Sequence, residues 1–287
     1  MPKLRNHTKQ KPRAGIQGEL GAFSQEAARQ LLGSRAEVIP YQRFEQVFRA
    51  LEGRKIDAAV IPIENTLAGS VHENYDHLLN FDVRIAAETS VRIVHNLIVP
   101  PGVRFQNIRK VYSHPVALNQ CLHFFARHAK MERIPFYDTA GAVKMIMAER
   151  ATDGAAIASR VAASIYEGRI LRRSIEDDRH NFTRFFLLYR NQGTPAPRPK
   201  ARQWKTSLVF TTRNLPGALF RALSAFALRD ISLAKIESRP LRGKPWEYLF
   251  YVDLLGREDE PRVQNALRHL TELADFLRVL GSYPKGA

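Results

Sequence analysis

Short apolar runs alternate with segments of helical periodicity between about residue 15 and residue 190. Asp57–Ile63 has strand length, and Val91–Val99 reads as another strand, halted by Pro100, Pro101 and Gly102. Gly154–Ser159 and Phe182–Tyr189 complete the set. Helical segments lie between them. Ser24 stands as a natural N-cap before Gln25–Leu32, and Ser70 with Glu73 three positions on is a capping-box pattern opening a helix through Leu79. Pro115 suits the first position of a helix to about His128, and Asp138–Thr139 predicts a helix to about Arg150. Arg160–Tyr166 follows the strand at 154–159. Such alternation predicts an α/β class with helices on mostly parallel sheets. The small-residue strands at 58–63 and 154–159 each feed a helix, which predicts two similar lobes.

The pattern changes after a proline-punctuated stretch, residues 191–203, which predicts an extended linker. Beyond it, residues 204–284 read strand, helix, strand, strand, helix, strand. The strands are Thr206–Thr212, Ile231–Leu241, Glu247–Leu255 and Phe276–Tyr283. One helix opens at Pro216 and runs to Arg229, and the other covers Pro261–Ala274. That order predicts a ferredoxin-like βαββαβ domain.

Charge alters the picture at the two joints. The formal net charge is +16, but residues 1–14 carry five cations and no acid, and residues 191–205 carry four and no acid. The excess is therefore concentrated in an expected basic tail, 1–14, and in the linker. A mild field remains that could draw anions. No recognition-helix, RNP-like or zinc-finger pattern accompanies it, so no specific nucleic-acid partner is expected. No apolar run is long enough to span a bilayer, and the tail has no apolar core like that of a secretory signal. The lone Cys121 sits in helical-looking sequence as a small buried hydrophobe, which fits a reducing cytoplasm.

Metal-ligand and phosphate-loop patterns are missing; His72/His77 and His123/His128 are five apart, one residue off helical ligand spacing. No metal and no cofactor is expected. Polar groups instead gather where strands meet helices: Ser24; Glu64, Asn65, Thr66 and Ser70; and Ser113. Such junctions offer backbone N–H groups to carboxylates, although Ser, Thr and Asn are also ordinary caps.

Taken together, Pro62–His72, Tyr112–Pro115 with Gln120, and Asn181–Phe185 resemble the three signature stretches of prephenate dehydratases. Gly18, Gly21, Ala22, Phe23 and Ser24 resemble that family's opening motif, and the likeness runs through nearly the whole chain from Ile16. The resemblance implies a two-lobed catalytic domain at 15–190, similar to type II periplasmic-binding-protein folds. It implies loss of water and carbon dioxide from prephenate, giving phenylpyruvate for L-phenylalanine biosynthesis. Thr183, Asn65, Ser113 and Gln120 match catalytic positions; Thr183 is the residue most tied to catalysis. Arg184, Glu64, Thr66, Ser24, Phe185 and Asn181 are substrate-binding candidates. Arg184 could equally form a salt bridge, and Glu64 could be structural or part of a proton relay.

In the second region, Asn214, Leu215, Gly217, Ala218 and Leu219, with Glu237, Ser238, Arg239 and Pro240, resemble the phenylalanine-binding motifs of a regulatory ACT domain. The implied effector is L-phenylalanine, and the implied assembly is a homodimer or homotetramer through that domain. About fifteen residues precede the first motif, too few for the chorismate mutase domain that some members carry. Arogenate dehydration is the nearest alternative. A non-catalytic amino-acid sensor is the other, and the intact Thr183, Arg184 and Phe185 argue against it.

Overall fold

The computed structural model describes residues 11–191 and 202–286, except 242 and 245. Most of the expected basic tail and of the linker therefore lies outside the described residues. The chain divides into two units. One runs to Phe81 and resumes over Thr89–Leu187; the other joins Asp82–Glu88 to the chain from Leu188 onward.

The first lobe is built from β1 (Arg13–Gln17), α1 (Phe23–Leu32), β2 (Glu37–Tyr41), α2 (Phe44–Glu52), β3 (Ala58–Asn65), β4 (Gly69–Ser70), α3 (His72–Asn80) and β5 (Val83–Arg92). The second contains β6 (Asn96–Val99), β7 (Lys110–Ser113), α4 (Pro115–Asn119), α5 (Leu122–Arg127), β8 (Glu132–Pro135), α6 (Thr139–Ala148), β9 (Gly154–Ala158), α7 (Arg160–Ile165) and β10 (Arg169–Arg172). The chain then returns through β11 (Phe182–Arg190) to the first sheet, whose order is β2-β1-β3-β11-β5 with β4 beside β3. The second sheet runs β10-β6-β9-β7-β8. Two lobes are thus present, but the sheets are mixed. β1 lies parallel to β2 and β3, and β7 to β8 and β9, whereas β6 runs antiparallel to β9 and β10.

Covered strands read as unbroken apolar runs because both faces are buried. All five residues of β9 are buried, with Val111, Leu118 and Phe125 in the cluster on one side and Val143, Ile146 and Ala162 in that on the other. Ala158 and Ala162 also admit the first lobe: Gly21, at φ 95°, lies so close that a Cβ there would sit 2.6 Å from the Ala162 Cα. The Ser159 hydroxyl donates to the Gly21 carbonyl at 2.7 Å, and Asp138 accepts from the Glu19 N–H at 3.1 Å. The glycine-rich opening motif is a clamp between lobes.

Several expected boundaries move, each for a tertiary reason. Ser70 pairs with Glu64 across the β3–β4 hairpin, so α3 begins at His72 with no side-chain cap; Glu73 faces His77 instead. Ser24 is the second residue of α1, not its cap, and Gln25 accepts from the Gly21 N–H at 2.6 Å. The run Val91–Val99 breaks at Ile93–His95 into β5 and β6, where the chain passes from one lobe to the other. The single helix expected from Pro115 is two, α4 and α5. The Asp177 N–H takes the Gln120 carbonyl at 2.8 Å, and its carboxylate accepts from the Leu122 and His123 N–H groups at 2.7 and 2.9 Å, ending one helix and starting the next.

The second unit contains β12 (Trp204–Thr212), α8 (Ala218–Ala227), β13 (Leu233–Pro240), β14 (Tyr248–Leu255), α9 (Pro261–Leu273) and β15 (Ala274–Pro284), in the sheet order β13-β14-β12-β15. This is the expected βαββαβ arrangement. Pro216 does not open α8; Gly217 caps it in the left-handed region at φ 73°, which a glycine tolerates. Leu208, Phe210, Phe226, Val252, Val263 and Leu270 form the core. The first half of β5 belongs to this unit, and Glu88 there meets the Lys205 ammonium at 2.8 Å, both side chains nearly buried.

Candidate functional site

The hairpin between β3 and β4 turns on Asn65. Its Oδ1 accepts the Leu67 and Ala68 N–H groups at 3.0 and 2.8 Å, an Asx turn that needs no partner outside the hairpin. Its Nδ2 faces Asn181 Oδ1 at 2.7 Å, the Phe182 carbonyl at 3.1 Å and Thr183 Oγ1 at 3.0 Å. One hydrogen is shared, because an amide has two to give. Asn181 in turn donates to Gln120 Oε1 at 2.9 Å, and Gln120 Nε2 donates back to Asn65 Oδ1 at 3.4 Å. Three amides close a ring spanning both lobes, with Thr183 hanging from it. Thr66 secures the edge: its hydroxyl donates to the His180 carbonyl at 2.8 Å and accepts from the Phe182 N–H at 3.0 Å.

Sequence reasoning missed what stands behind the ring. The His95 Nε2 lies 2.9 Å from Gln120 Oε1, and its own N–H donates to Glu176 Oε2 at 2.9 Å. The Ile175 N–H donates to the His95 carbonyl at 2.9 Å. His95 and Asn96 are polar interruptions inside an apolar run, and that signal was available. Burial pushes the His95 pKa down, partly opposed by the Gln120 hydrogen bond and the Glu176 charge. Burial likewise lowers His114, whose Nδ1 accepts from the Val116 N–H, and raises Asp138.

Arg184 and Glu64 pair at 2.9 Å with 11% and 30% of their side chains exposed, and the guanidinium carbon lies 4.8 Å from the Phe186 ring centroid. This ion pair is the salt-bridge alternative for Arg184. Three candidates stand apart from the ring. Ser113 is fully buried and its hydroxyl donates to the Ile157 carbonyl at 2.6 Å, tying β7 to β9. Phe185 is a core side chain, and Ser24 is a buried residue of α1. Beside Gln120 opens a cavity of about 350 Å³, lined by Leu67, Ala68, Val116, Asn119, Asp177 and Asp178. Among the described residues no group of three or more His, Cys, Asp or Glu could hold a metal ion.

In the second unit the two expected effector segments belong to different elements. Leu215 and Ala218 line a hollow of about 200 Å³ with Arg213, Arg221, Glu272 and Asp275. Asn214, Gly217 and Leu219 belong to the same turn and helix start, but Glu237, Ser238, Arg239 and Pro240 lie on the edge strand β13.

Comparison with known proteins fits this layout. A sequence model of the prephenate dehydratase family matches residues 14–193, and one of the ACT domain matches 206–271. The arogenate dehydratase/prephenate dehydratase 2, chloroplastic, of Arabidopsis thaliana is 44% identical over 95% of this chain and 72% of its own length. Among solved structures, the prephenate dehydratase of Arthrobacter aurescens in complex with L-Phe aligns with a TM-score of 0.86 and 30% identity, over 95% of this chain and 90% of that one. A protein described as GqqA, a novel type of quorum quenching acylase, aligns with a TM-score of 0.85 and 31% identity over 95% and 97%. With a family match over the whole two-lobed region and a close relative along nearly its full length, the chain belongs to the prephenate dehydratase family and carries an ACT domain behind that region.

Proposed function

We propose that the protein is a hydro-lyase converting prephenate to phenylpyruvate, with L-phenylalanine as its allosteric effector. The observation that carries the reading is the Asn65–Asn181–Gln120 ring with Thr183 attached, beside an open cavity at the lobe boundary. The carbon–carbon bond to the ring carboxylate breaks and its electron pair enters the ring. The ring hydroxyl then leaves with its bonding pair, and one proton turns it into water. Carbon dioxide, water and the aromatic keto acid balance the substrate and that proton.

These residues supply placement rather than strong acids. A threonine hydroxyl is far too weak to surrender its proton outright at neutral pH, so Thr183 stabilises the departing oxygen by donating a hydrogen bond. Its Oγ1 already accepts from Asn65, which polarises the O–H. Arg184 lies within the same strand and Glu64 holds its guanidinium; the pair sets the local charge an anionic substrate meets. Arogenate carries the same leaving hydroxyl and carboxylate, and the Arabidopsis relative's name includes both activities. Turnover of prephenate and of arogenate by the purified protein, each with and without L-phenylalanine, tests the reading. Turnover of neither acid would end it.

The acylase activity in one neighbour's name has no comparable support. The Ser113 and Ser159 hydroxyls donate to backbone carbonyls, and burial pushes the Cys121 thiol up.

The effector site is completed by a second copy. The hollow beside the turn at 214–219 is lined from α8, α9 and the start of β15 and not from β13, while β13 is an edge strand exposing Ile236, Ser238 and Pro240. Edge-to-edge pairing of ACT domains would bring one copy's β13 to the other, giving a homodimer or homotetramer. Light scattering with and without L-phenylalanine tests this, and a monomer in both conditions would refute it. No helix among the described residues is long and apolar enough to cross a membrane, and the buried free thiol suits a reducing cytoplasm.

A further inference from the structure

We infer that His95 is a positioning residue, holding Gln120 and through it the amide ring from behind; the ring's direction, set at Asn65, leaves the Thr183 hydroxyl with its proton directed out of the network. The inference rests on the dehydratase reading of the same site.

A ring of three amides is directionally degenerate on its own, since flipping every member reverses each hydrogen bond without moving an atom position. The backbone removes the degeneracy at Asn65. Two N–H groups, of Leu67 and Ala68, point at one of its terminal atoms, which must be the oxygen; the Phe182 carbonyl faces the other, which must be the nitrogen. With Asn65 fixed, Asn181 presents its oxygen to Asn65 and its nitrogen to Gln120. Gln120 then presents its oxygen to His95 at 2.9 Å, so His95 Nε2 must carry a hydrogen. At the far end, Thr183 Oγ1 can only accept from Asn65, and among the described residues its O–H donates to no group. Among the described residues the Thr183 proton is thus left without an acceptor, on the atom proposed to face the departing oxygen.

His95 is built for this position. It is 2% exposed, its N–H and carbonyl are both bonded to the 175–176 segment, and its ring meets Phe23 edge-on with centroids 6.0 Å apart. Its Nδ1 is buried without a partner. A bare ring nitrogen is tolerable there, whereas a hydrogen on Nδ1 would be an orphaned donor, so burial reinforces the tautomer that the ring requires. Gln120 ends a helix of only five residues, at the break where Asp177 divides α4 from α5, and its side chain is held by His95 and Asn181.

The test compares His95→Leu, which removes the donor, with His95→Gln, whose terminal NH₂ can replace Nε2–H. Loss of position should lower kcat by about 10²-fold in the leucine variant, with KM little changed. The glutamine variant should recover most of kcat. Equal kcat in wild type and His95→Leu would overturn the inference, and so would a glutamine variant as slow as the leucine one. If His95→Leu does not fold, the ¹⁵N imidazole spectrum of the intact wild type decides: Nε2 protonated with Nδ1 bare supports the assignment, and the reverse tautomer overturns it. Wild-type protein turning over neither prephenate nor arogenate would sink the dehydratase reading instead, and the spectrum would still report on the ring's direction.

Discussion

The Asn65 amide nitrogen donates to the Thr183 hydroxyl oxygen at 3.0 Å across 118 positions of sequence. One residue ends β3 and the other lies near the start of β11, strands that are neighbours in the first sheet. Removing the hydroxyl while keeping the shape, as in Thr183→Val, should lower kcat by about 10²- to 10⁴-fold and leave substrate affinity within a small factor. Thr183→Ser should retain a substantial share of activity. Steady-state kinetics with prephenate checks both, and a fully active valine variant would remove Thr183 from the mechanism.

Asn65→Asp keeps the Asx turn, because a carboxylate oxygen still accepts from Leu67 and Ala68, but it deletes the donor to Thr183 and Asn181. The variant should lose about 10²-fold or more in kcat, and its melting temperature should fall as well, because an oxygen then faces the Asn181 oxygen and the Phe182 carbonyl. Wild-type kcat in this variant would remove the Asn65 donor from the mechanism.

Gly21→Ala places a methyl against the Ala162 backbone at a φ of 95°. Strain and overpacking together should cost about 2–4 kcal/mol, read as a lower urea midpoint with unchanged slope. An unchanged midpoint would show that the lobes separate easily at this clamp.

Acid should destabilise the protein through buried histidines. His95 and His114 both have pKa values lowered by burial, so below about pH 6.5 the unfolded chain binds protons that the folded chain refuses. Stability from these groups is complete above that pH and is lost as pH falls from 7 toward 5. Thermal melts across pH 5–8 should show this decline, and it should be smaller in His95→Gln. Asp138, raised by burial, acts in the opposite sense at lower pH.

Much of the fold is legible locally. The helix capped by Asp138, the all-buried strand at 154–158 and the βαββαβ order all follow from period and caps. Errors fall where a distant partner overrides a local signal. The break at Gln120–Cys121 is imposed by Asp177, 55 positions from Leu122, and the break at His95 by Glu176, 81 positions away. Ser70 had the residues of a cap but was taken by the β3–β4 hairpin. Of the candidates named from family resemblance, the fold brings Asn65, Gln120, Asn181 and Thr183 into one hydrogen-bonded group. His95 shows in the sequence only as a polar interruption of an apolar run; which atom its ring nitrogen meets is set by the fold, and no spacing rule encodes that.

The β5 strand limits how chains of this kind can be recombined. The proline-rich stretch at 191–203 looks like a seam where one regulatory module could be exchanged for another. Yet Glu88, planted a hundred residues upstream, answers Lys205 of β12 at 2.8 Å, and residues 82–88 are counted with the later unit. A cut at the seam would strand a nearly buried carboxylate without its ammonium, a loss of about 3–5 kcal/mol when one partner of such a pair is removed. A successful exchange has to carry the first half of β5 along with the new module, so the heritable unit of regulation is discontinuous in the gene even though it is continuous in space.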